Sequence, residues 1–267
     1  MARQTKLQKR KTRINILASV FFFSLVIAGT ATAVWWNLQR KPGLDPMTLC
    51  PAQGPSGQRV VLIDRTDPFN LAQKASLDIF IKNLVDSTPP GQLLSVYVLG
   101  DDFQANTKPL FELCNPGDGQ EKSELTANLK ALKQQYTKHF IEPMLSVTEG
   151  MVNVPSAKES PILEMLQLVN LNSIQKQKIN GEVRLYVLSD MLQNSKSLTM
   201  YGQPMSFEAY ASSYAATKLF VDFSQVNVEV HLVNSNPRTL NPLLLDFWKA
   251  YFEKARVKSI NFHAFAG

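Results

Sequence analysis

Three polar side chains follow runs of apolar residues that have the composition of buried strands. Four branched apolar residues, 60–63, precede Asp64 and Thr66, and a second run, 183–188, leads to Asp190. Such runs predict strands buried on both faces of a parallel sheet. Ligands of open α/β sheets bind beyond the carboxyl ends of the strands, so these oxygens lie where metal binding or other chemistry is expected.

The chemistry that these residue types favour is binding of a hard cation. Mg²⁺ takes oxygen ligands in near-octahedral geometry and keeps several waters, so carboxylates and hydroxyls from separate loops would suffice. The alternative interpretation is structural: Asp64 and Asp190 accept hydrogen bonds from loop amides or pair with Arg65, and the hydroxyls cap helices. A zinc site is not expected, because no Cys-x-x-Cys pair occurs and the three histidines are scattered.

The elements that would position these residues alternate between strands and helices. Strands are predicted at 60–63, 93–99, 108–113, 183–188, 226–233 and 257–262. Helices are predicted at 68–85, at 125–140 with a kink or division at Pro143, from Ser160-Pro161 onwards, at 207–220 and at 242–254. This alternation indicates an α/β doubly wound, mostly parallel six-stranded sheet flanked by helices, and residues 59–267 have the size of one domain.

That order of elements resembles the von Willebrand factor A (VWA) domain, a Rossmann-like fold, over residues 59–266. The resemblance lies in a short third strand at the edge and a long helical stretch before the next central strand. The family's metal-ion-dependent adhesion site has Asp-x-Ser-x-Ser after the first strand, a threonine before a middle helix and an aspartate after the fourth strand. Asp64 matches the first position, Thr66 conservatively matches the second, and Asp190 matches the last aspartate.

The resemblance implies a metal site formed by Asp64, Thr66, Ser160 and Asp190, with Mg²⁺ as the cation. Ser160 stands where the family has its threonine, and Ser156 is a weaker candidate for the same role. Pro68 takes the place of the third residue, which removes one hydroxyl ligand and makes the site degenerate.

The N-terminal region predicts a membrane anchor. Residues 1–13 form a basic tail without an acid, and residues 14–36 carry no charge and end at Trp35 and Trp36. These features predict a transmembrane helix with the tail in the cytoplasm and the remainder exported, as in a single-pass inner-membrane protein. The alternative is a secretory signal cleaved after the small residues at 31–33.

Charge and cysteine content support export rather than nucleic-acid binding. The formal net charge is +6, and the first thirteen residues supply six Lys and Arg, so the rest of the chain is balanced. Both cysteines, Cys50 and Cys114, fall in the exported part, where an oxidising compartment favours a disulfide between them. A linker rich in proline and glycine is predicted at 37–58, between the anchor and the domain.

The predicted function is an exported protein-interaction or scaffolding module in a bacterial membrane complex, bound to another protein of unknown identity. Enzymatic activity is not expected, because the chain has neither a Gly-x-Ser-x-Gly elbow nor a phosphate-binding glycine loop. The alternatives are a metal-dependent hydrolase at the same sheet edge and a secreted protein with the same domain. Aromatic residues at helical spacing between 247 and 252 could bind a partner, but this spacing is more typical of a core.

Overall fold

The computed structural model describes residues 6–38, 43–100, 107–120, 128–150, 156–177, 179, 181–202, 205–233 and 241–265. The chain divides into two compact units, Met1–Gly43 and Leu44–Gly267. In the first unit, helix α1 (Lys6–Leu38) contains the segment Asn15–Trp36, which is long and apolar enough to cross a membrane. The predicted N-terminal apolar helix is therefore present.

The second unit is built on one six-stranded sheet in the order β3-β2-β1-β4-β5-β6. The strands are β1 (Gln58–Asp64), β2 (Leu93–Leu99), β3 (Phe111–Cys114), β4 (Val183–Ser189), β5 (Val226–Val233) and β6 (Ser259–Phe265). All neighbours are parallel except β2 and β3. The predicted doubly wound, mostly parallel sheet is confirmed. The last strand starts later than predicted because Arg256, with a φ of 62°, turns the chain before it.

Helices cover both faces of this sheet. They are α2 (Leu71–Ser87), α3 (Leu129–Tyr136), α4 (Glu142–Gly150), α5 (Ile162–Val169), α6 (Gln175–Gln177), α7 (Phe207–Ala211), α8 (Tyr214–Leu219) and α9 (Pro242–Lys254), with π-helical turns at Thr137–Ile141 and Asn170–Ile174. Two of the predicted helices also differ from the structure. Helix α2 begins after Asn70, whose side chain forms a capping box with Gln73, and the predicted helix 207–220 is two helices because Ser213 caps the second.

The core lies in two layers, one on each face of the sheet. One layer packs alternate residues of β1, such as Leu62, against α5 and α9, and the other packs their neighbours, such as Ile63, against α2. The aromatic residues of α9 belong to the first layer and are at most 1% exposed: Phe247, Trp248, Tyr251 and Phe252. Their interpretation as core residues is therefore confirmed.

Residues 44–51, which we call the strap, lie along the outer side of β3. A disulfide joins Cys50 to Cys114, and the backbone N–H of Cys114 donates to the carbonyl of Thr48 at 2.9 Å. Asp45 holds the turn of the strap, because its Oδ1 accepts from the backbone N–H of Met47 and of Thr48. The predicted disulfide is present, and it fastens the strap to the edge of the sheet.

Candidate functional site

The candidate site lies where the two central strands end. Ile63 of β1 is paired with Leu188 of β4, so the next residues along the two parallel strands, Asp64 and Ser189, leave the sheet side by side. Asp190 follows at once. The sheet therefore brings residues that are far apart in sequence to one edge, as the apolar runs predicted.

Asp64 is the centre of the hydrogen bonds at this edge. Its Oδ1 accepts from the backbone N–H of Thr66 at 3.0 Å and from the Thr66 hydroxyl at 2.7 Å. Its Oδ2 accepts from the hydroxyl of Ser189 at 2.7 Å and from that of Ser160 at 3.3 Å. Three hydroxyls from three separate segments thus converge on one carboxylate that is 7% exposed.

Asp190 lies beside this cluster and is nearly as buried, at 9% exposure. Its Oδ1 accepts from the backbone N–H of Leu192 at 2.9 Å. Together with Asp64 it lines a small cavity of about 10 Å³, which is close to the smallest space that can hold a water molecule. The residues around the cavity are Asp64, Thr66, Asp67, Phe69, Asp190 and Val233.

The electrostatics of the site disfavour two carboxylate charges in the absence of a cation. Burial raises the pKa of Asp64, although the hydrogen bonds from Thr66, Ser189 and Ser160 oppose that shift. Burial raises the pKa of Asp190 to about 7, and the neighbouring charges of Asp64 and Asp67 add to the effect. A bound cation would offset this repulsion and favour the ionised forms.

The donor set fits Mg²⁺ in its chemistry, since every candidate ligand is a hard oxygen. Asp64, Thr66 and Asp190 line the cavity, and Ser160 reaches it through its hydrogen bond to Asp64. Within the described part of the chain, no three His, Cys, Asp or Glu residues form a cluster that could hold a metal by themselves. A cation here would therefore need the hydroxyls and water as ligands.

The loop that carries Asp190 is held by contacts from α9 and from the segment that precedes α5. The indole N–H of Trp248, in α9, donates to the carbonyl of Met191 at 2.8 Å, and Met191 itself has a φ of 61°. Ser160 and Asn194 exchange backbone hydrogen bonds at 2.7 and 2.8 Å, which joins the Ser160 segment to the same loop. The two walls of the site are thus fixed relative to each other.

Gln193 completes this framework. Helix α5 has Pro161 at its N-cap position, which supplies no side-chain cap, and Gln193 Oε1 accepts from the backbone N–H of Leu163 at 2.9 Å instead. The amide nitrogen of Gln193 donates to Glu164 and to Ser195, each at 3.0 Å. Gln193 is completely buried, and a residue of the β4 loop thereby caps the helix next to Ser160.

The structure distinguishes Ser160 from Ser156 and bears on parts of the structural interpretation. Ser160 rather than the exposed Ser156 contacts Asp64, and neither Thr66 nor Ser160 caps a helix in the way the structural interpretation proposed. Asp64 does accept a loop amide, as that interpretation expected. Its predicted pairing with Arg65 is absent from the ion pairs of the described residues.

Sequence reasoning did not identify Ser189 or Asp67 as site residues. Ser189 is the last residue of β4, and only the register of β1 with β4, which the sequence does not show, places it beside Asp64. Asp67 directly precedes the predicted helix 68–85, but it lines the cavity, and Asn70 caps α2.

The chain is similar to a number of solved structures. No protein-family model matches the chain, and no curated protein matches it. Solved structures similar to 78% of this chain include the SpRpn10 VWA domain (11% identity, 88% of that chain, TM-score 0.40), an aerotolerance-related membrane protein from Bacteroides fragilis NCTC 9343 (13%, 90%, 0.35) and the conserved hypothetical protein BatB from Bacteroides thetaiotaomicron (12%, 89%, 0.36).

The TM-scores of these three structures are all at or below 0.40, so the likenesses support no statement about function. The strand order itself supports the resemblance, since the short antiparallel third strand lies at the edge and β1 and β4 lie at the centre. The chain has a VWA-like α/β fold with one N-terminal apolar helix.

Proposed function

We propose that this protein is a membrane-anchored, VWA-like interaction module that binds a partner protein at the carboxyl edge of its sheet. Mg²⁺ held by Asp64, Thr66, Ser160 and Asp190 would take part in that binding. The observation that carries the proposal is the convergence of these four side chains, two of which are buried carboxylates, from three segments of the chain.

The need for a positive charge follows from the same geometry. Two buried carboxylates that lie close together repel each other, and both have raised pKa values. A divalent cation, or a basic group of the partner, would remove that repulsion on binding. The site is therefore suited to bind a partner protein together with a divalent cation or through a basic group of that partner.

A metal-dependent hydrolase at the same edge has less support. A cavity of about 10 Å³ has room for one water molecule and not for a phosphoester group. Hydrolysis of a generic phosphoester by the purified protein, abolished by Asp64→Ala, would establish this alternative instead.

Titration with a cation tests the proposal directly. The full chain in detergent should bind Mg²⁺ or Mn²⁺ in calorimetry, and Asp190→Ala should abolish that binding because one of the two carboxylates is lost. Asp222→Ala is the matched control: Asp222 is a carboxylate paired with Arg256 at the surface, and the variant should bind as the wild type does. A wild-type melting temperature that is the same in excess Mg²⁺ and in chelator would contradict the metal site.

The proposal also includes an orientation, with the N-terminus in the cytoplasm and the VWA-like domain outside it in the periplasm. The supporting features are the basic residues before position 14 and the apolar segment Asn15–Trp36. A reporter that is active only after export, fused behind Gly267, should therefore be active. The control lacks residues 14–36 and should be inactive, and activity of a cytoplasmic reporter at the same position would contradict the orientation. Retention of the full mass after membrane extraction would exclude signal cleavage.

A further inference from the structure

Met191, which follows Asp190 directly, has a backbone conformation that is uncommon for its residue type. Its φ of 61° lies in the left-handed region, which a bulky side chain adopts only when the surrounding structure holds it there. Just beyond this turn, the backbone N–H of Leu192 donates to Asp190 Oδ1 at 2.9 Å. The orientation of the Asp190 carboxylate therefore depends on whatever holds Met191.

Both backbone groups of Met191 are hydrogen-bonded. Its N–H donates to the hydroxyl oxygen of Ser189 at 2.8 Å, and its carbonyl accepts from the indole N–H of Trp248, in α9, also at 2.8 Å. The backbone N–H of Gln193 donates to the same carbonyl at a longer distance of 3.2 Å. Met191, Ser189 and Trp248 are all buried, so loss of one of these partners would leave a polar group without a hydrogen bond in the interior.

The series of hydrogen bonds continues to the other carboxylate. The hydroxyl of Ser189 accepts from Met191 and donates its own proton to Asp64 Oδ2 at 2.7 Å, and a hydroxyl can do both at once. The contacts thus lead without a break from Trp248 through Met191 and Ser189 to Asp64. Asp190 lies in the chain between Ser189 and Met191, so both carboxylates are tied to one side chain of α9.

We propose that Trp248 is a positioning residue for the cation site, and that its indole N–H fixes Met191 and thereby the relative placement of the Asp64 and Asp190 carboxylates. This inference rests on the proposed function, because cation affinity is its main measure. Ligands that come from separate segments bind a cation well only if they are held in place beforehand by residues behind them. Trp248 would act in this way without contacting the cation.

The packing of Trp248 can be separated from its hydrogen bond. The indole ring packs among aromatic residues of its own helix, with ring centroids 5.3 to 6.0 Å from those of Phe247, Tyr251 and Phe252. Such packing needs an aromatic ring but no donor. A buried indole N–H needs an acceptor as well, and here the acceptor belongs to the loop that carries Asp190. A ring without the N–H would therefore keep the packing and lose the positioning.

Cation affinity tests this role. In calorimetry of the full chain in detergent, Trp248→Phe should raise the Kd for Mn²⁺ by about 10- to 100-fold, as loss of a residue that orients metal ligands does. Phe252→Leu is the matched control: Phe252 is equally buried on the same helix and has no polar side-chain atom, so this variant should be destabilised but keep the wild-type Kd. A wild-type Kd for Trp248→Phe would overturn the proposal.

An isosteric replacement separates the hydrogen bond from ring size. Benzothienylalanine at position 248 keeps the two-ring shape of tryptophan and lacks the N–H. It should weaken Mn²⁺ binding as much as phenylalanine does. Wild-type affinity with this side chain would mean that packing alone places the loop, and the proposal would then be wrong.

A double-mutant cycle tests the route through Met191. Ser189→Ala removes the next hydrogen bond of the series and should raise the Kd as well. If Trp248 and Ser189 act through the same residue, the double variant should bind little more weakly than the weaker of the two single variants. Factors that multiply would show two independent effects and would overturn the shared route.

Hydrogen exchange in chelator provides a test that needs no cation. Trp248→Phe should speed exchange of the Leu192 amide, which is bonded to Asp190, more than exchange of the β1 amides, whereas Phe252→Leu should not single out Leu192. If the wild type binds no Mn²⁺, the proposed function fails, and this measurement decides the positioning role alone. An unchanged exchange rate of Leu192 in Trp248→Phe would contradict that role.

Discussion

Replacement of Asp190 by asparagine should stabilise the cation-free protein above pH 7. The pKa of Asp190 is raised from 3.8 to about 7 by burial and by the charge of Asp64. At about 1.4 kcal/mol per pKa unit, ionisation of this group in the folded state costs up to about 4 kcal/mol. Asparagine removes the charge and keeps an oxygen that can accept from Leu192, so the free energy of unfolding should rise by about 2 to 4 kcal/mol.

The pH dependence of this gain has a definite sign. Because the folded pKa lies above the unfolded value, the wild type has its full stability below about pH 4 and loses it as the pH rises towards 7. The gain of Asp190→Asn should therefore vanish near pH 4. Excess Mg²⁺ should stabilise the wild type but not the variant. Asp222→Asn, at the surface, should show no such gain, and a destabilised Asp190→Asn at pH 8 without cation would mean that the carboxylates do not repel.

Loss of the disulfide should be the other large effect. The bond between Cys50 and Cys114 closes a loop with a sequence separation of 64 residues. The chain-entropy model gives a contribution of about 4 kcal/mol for a loop of that length. The double variant Cys50→Ala/Cys114→Ala should therefore unfold with a free energy lower by about that amount, measured by urea denaturation of the full chain in detergent.

Single variants separate the bond from the side chains. Cys50→Ala and Cys114→Ala each remove the same cross-link, so each should lose most of the stability that the double variant loses. A much smaller loss in Cys50→Ala would show that burial of Cys114 matters more than the bond. Two free thiols titrated in protein isolated without reductant would contradict the bond itself.

The parts of this fold that were predictable are those encoded by short apolar runs. Residues 60–63 are all branched and apolar, and residues 183–188 are mostly so, because β1 and β4 are largely buried on both faces, and a polar residue ends each run where the sheet ends. The positions of Asp64 and Asp190 at one edge followed from that pattern. The proline at position 242 likewise predicted the start of α9.

The parts that were not predictable depend on contacts distant in sequence. Gln193 caps α5 from a loop 30 residues away, and no local pattern indicates that pairing. Ser189 belongs to the site only through its register beside Asp64. The predicted start of α2 was wrong. Asp67-Pro68 has the residue types of a helix start, but the capping box of Asn70 and Gln73 makes the helix begin after Asn70.

The strap also determines how mechanical load passes through the protein. A pull on the chain from the side of the membrane segment reaches Cys50 first and then crosses the sulfur–sulfur bond to Cys114. The residues between these two cysteines, which include β1, α2 and β2, cannot be extended along the chain while the bond is intact. Asp64 and Thr66 lie within this closed loop, whereas Ser160 and Asp190 lie outside it, so a force that extends the remainder of the chain would separate the two halves of the site before it extends the segment that carries Asp64.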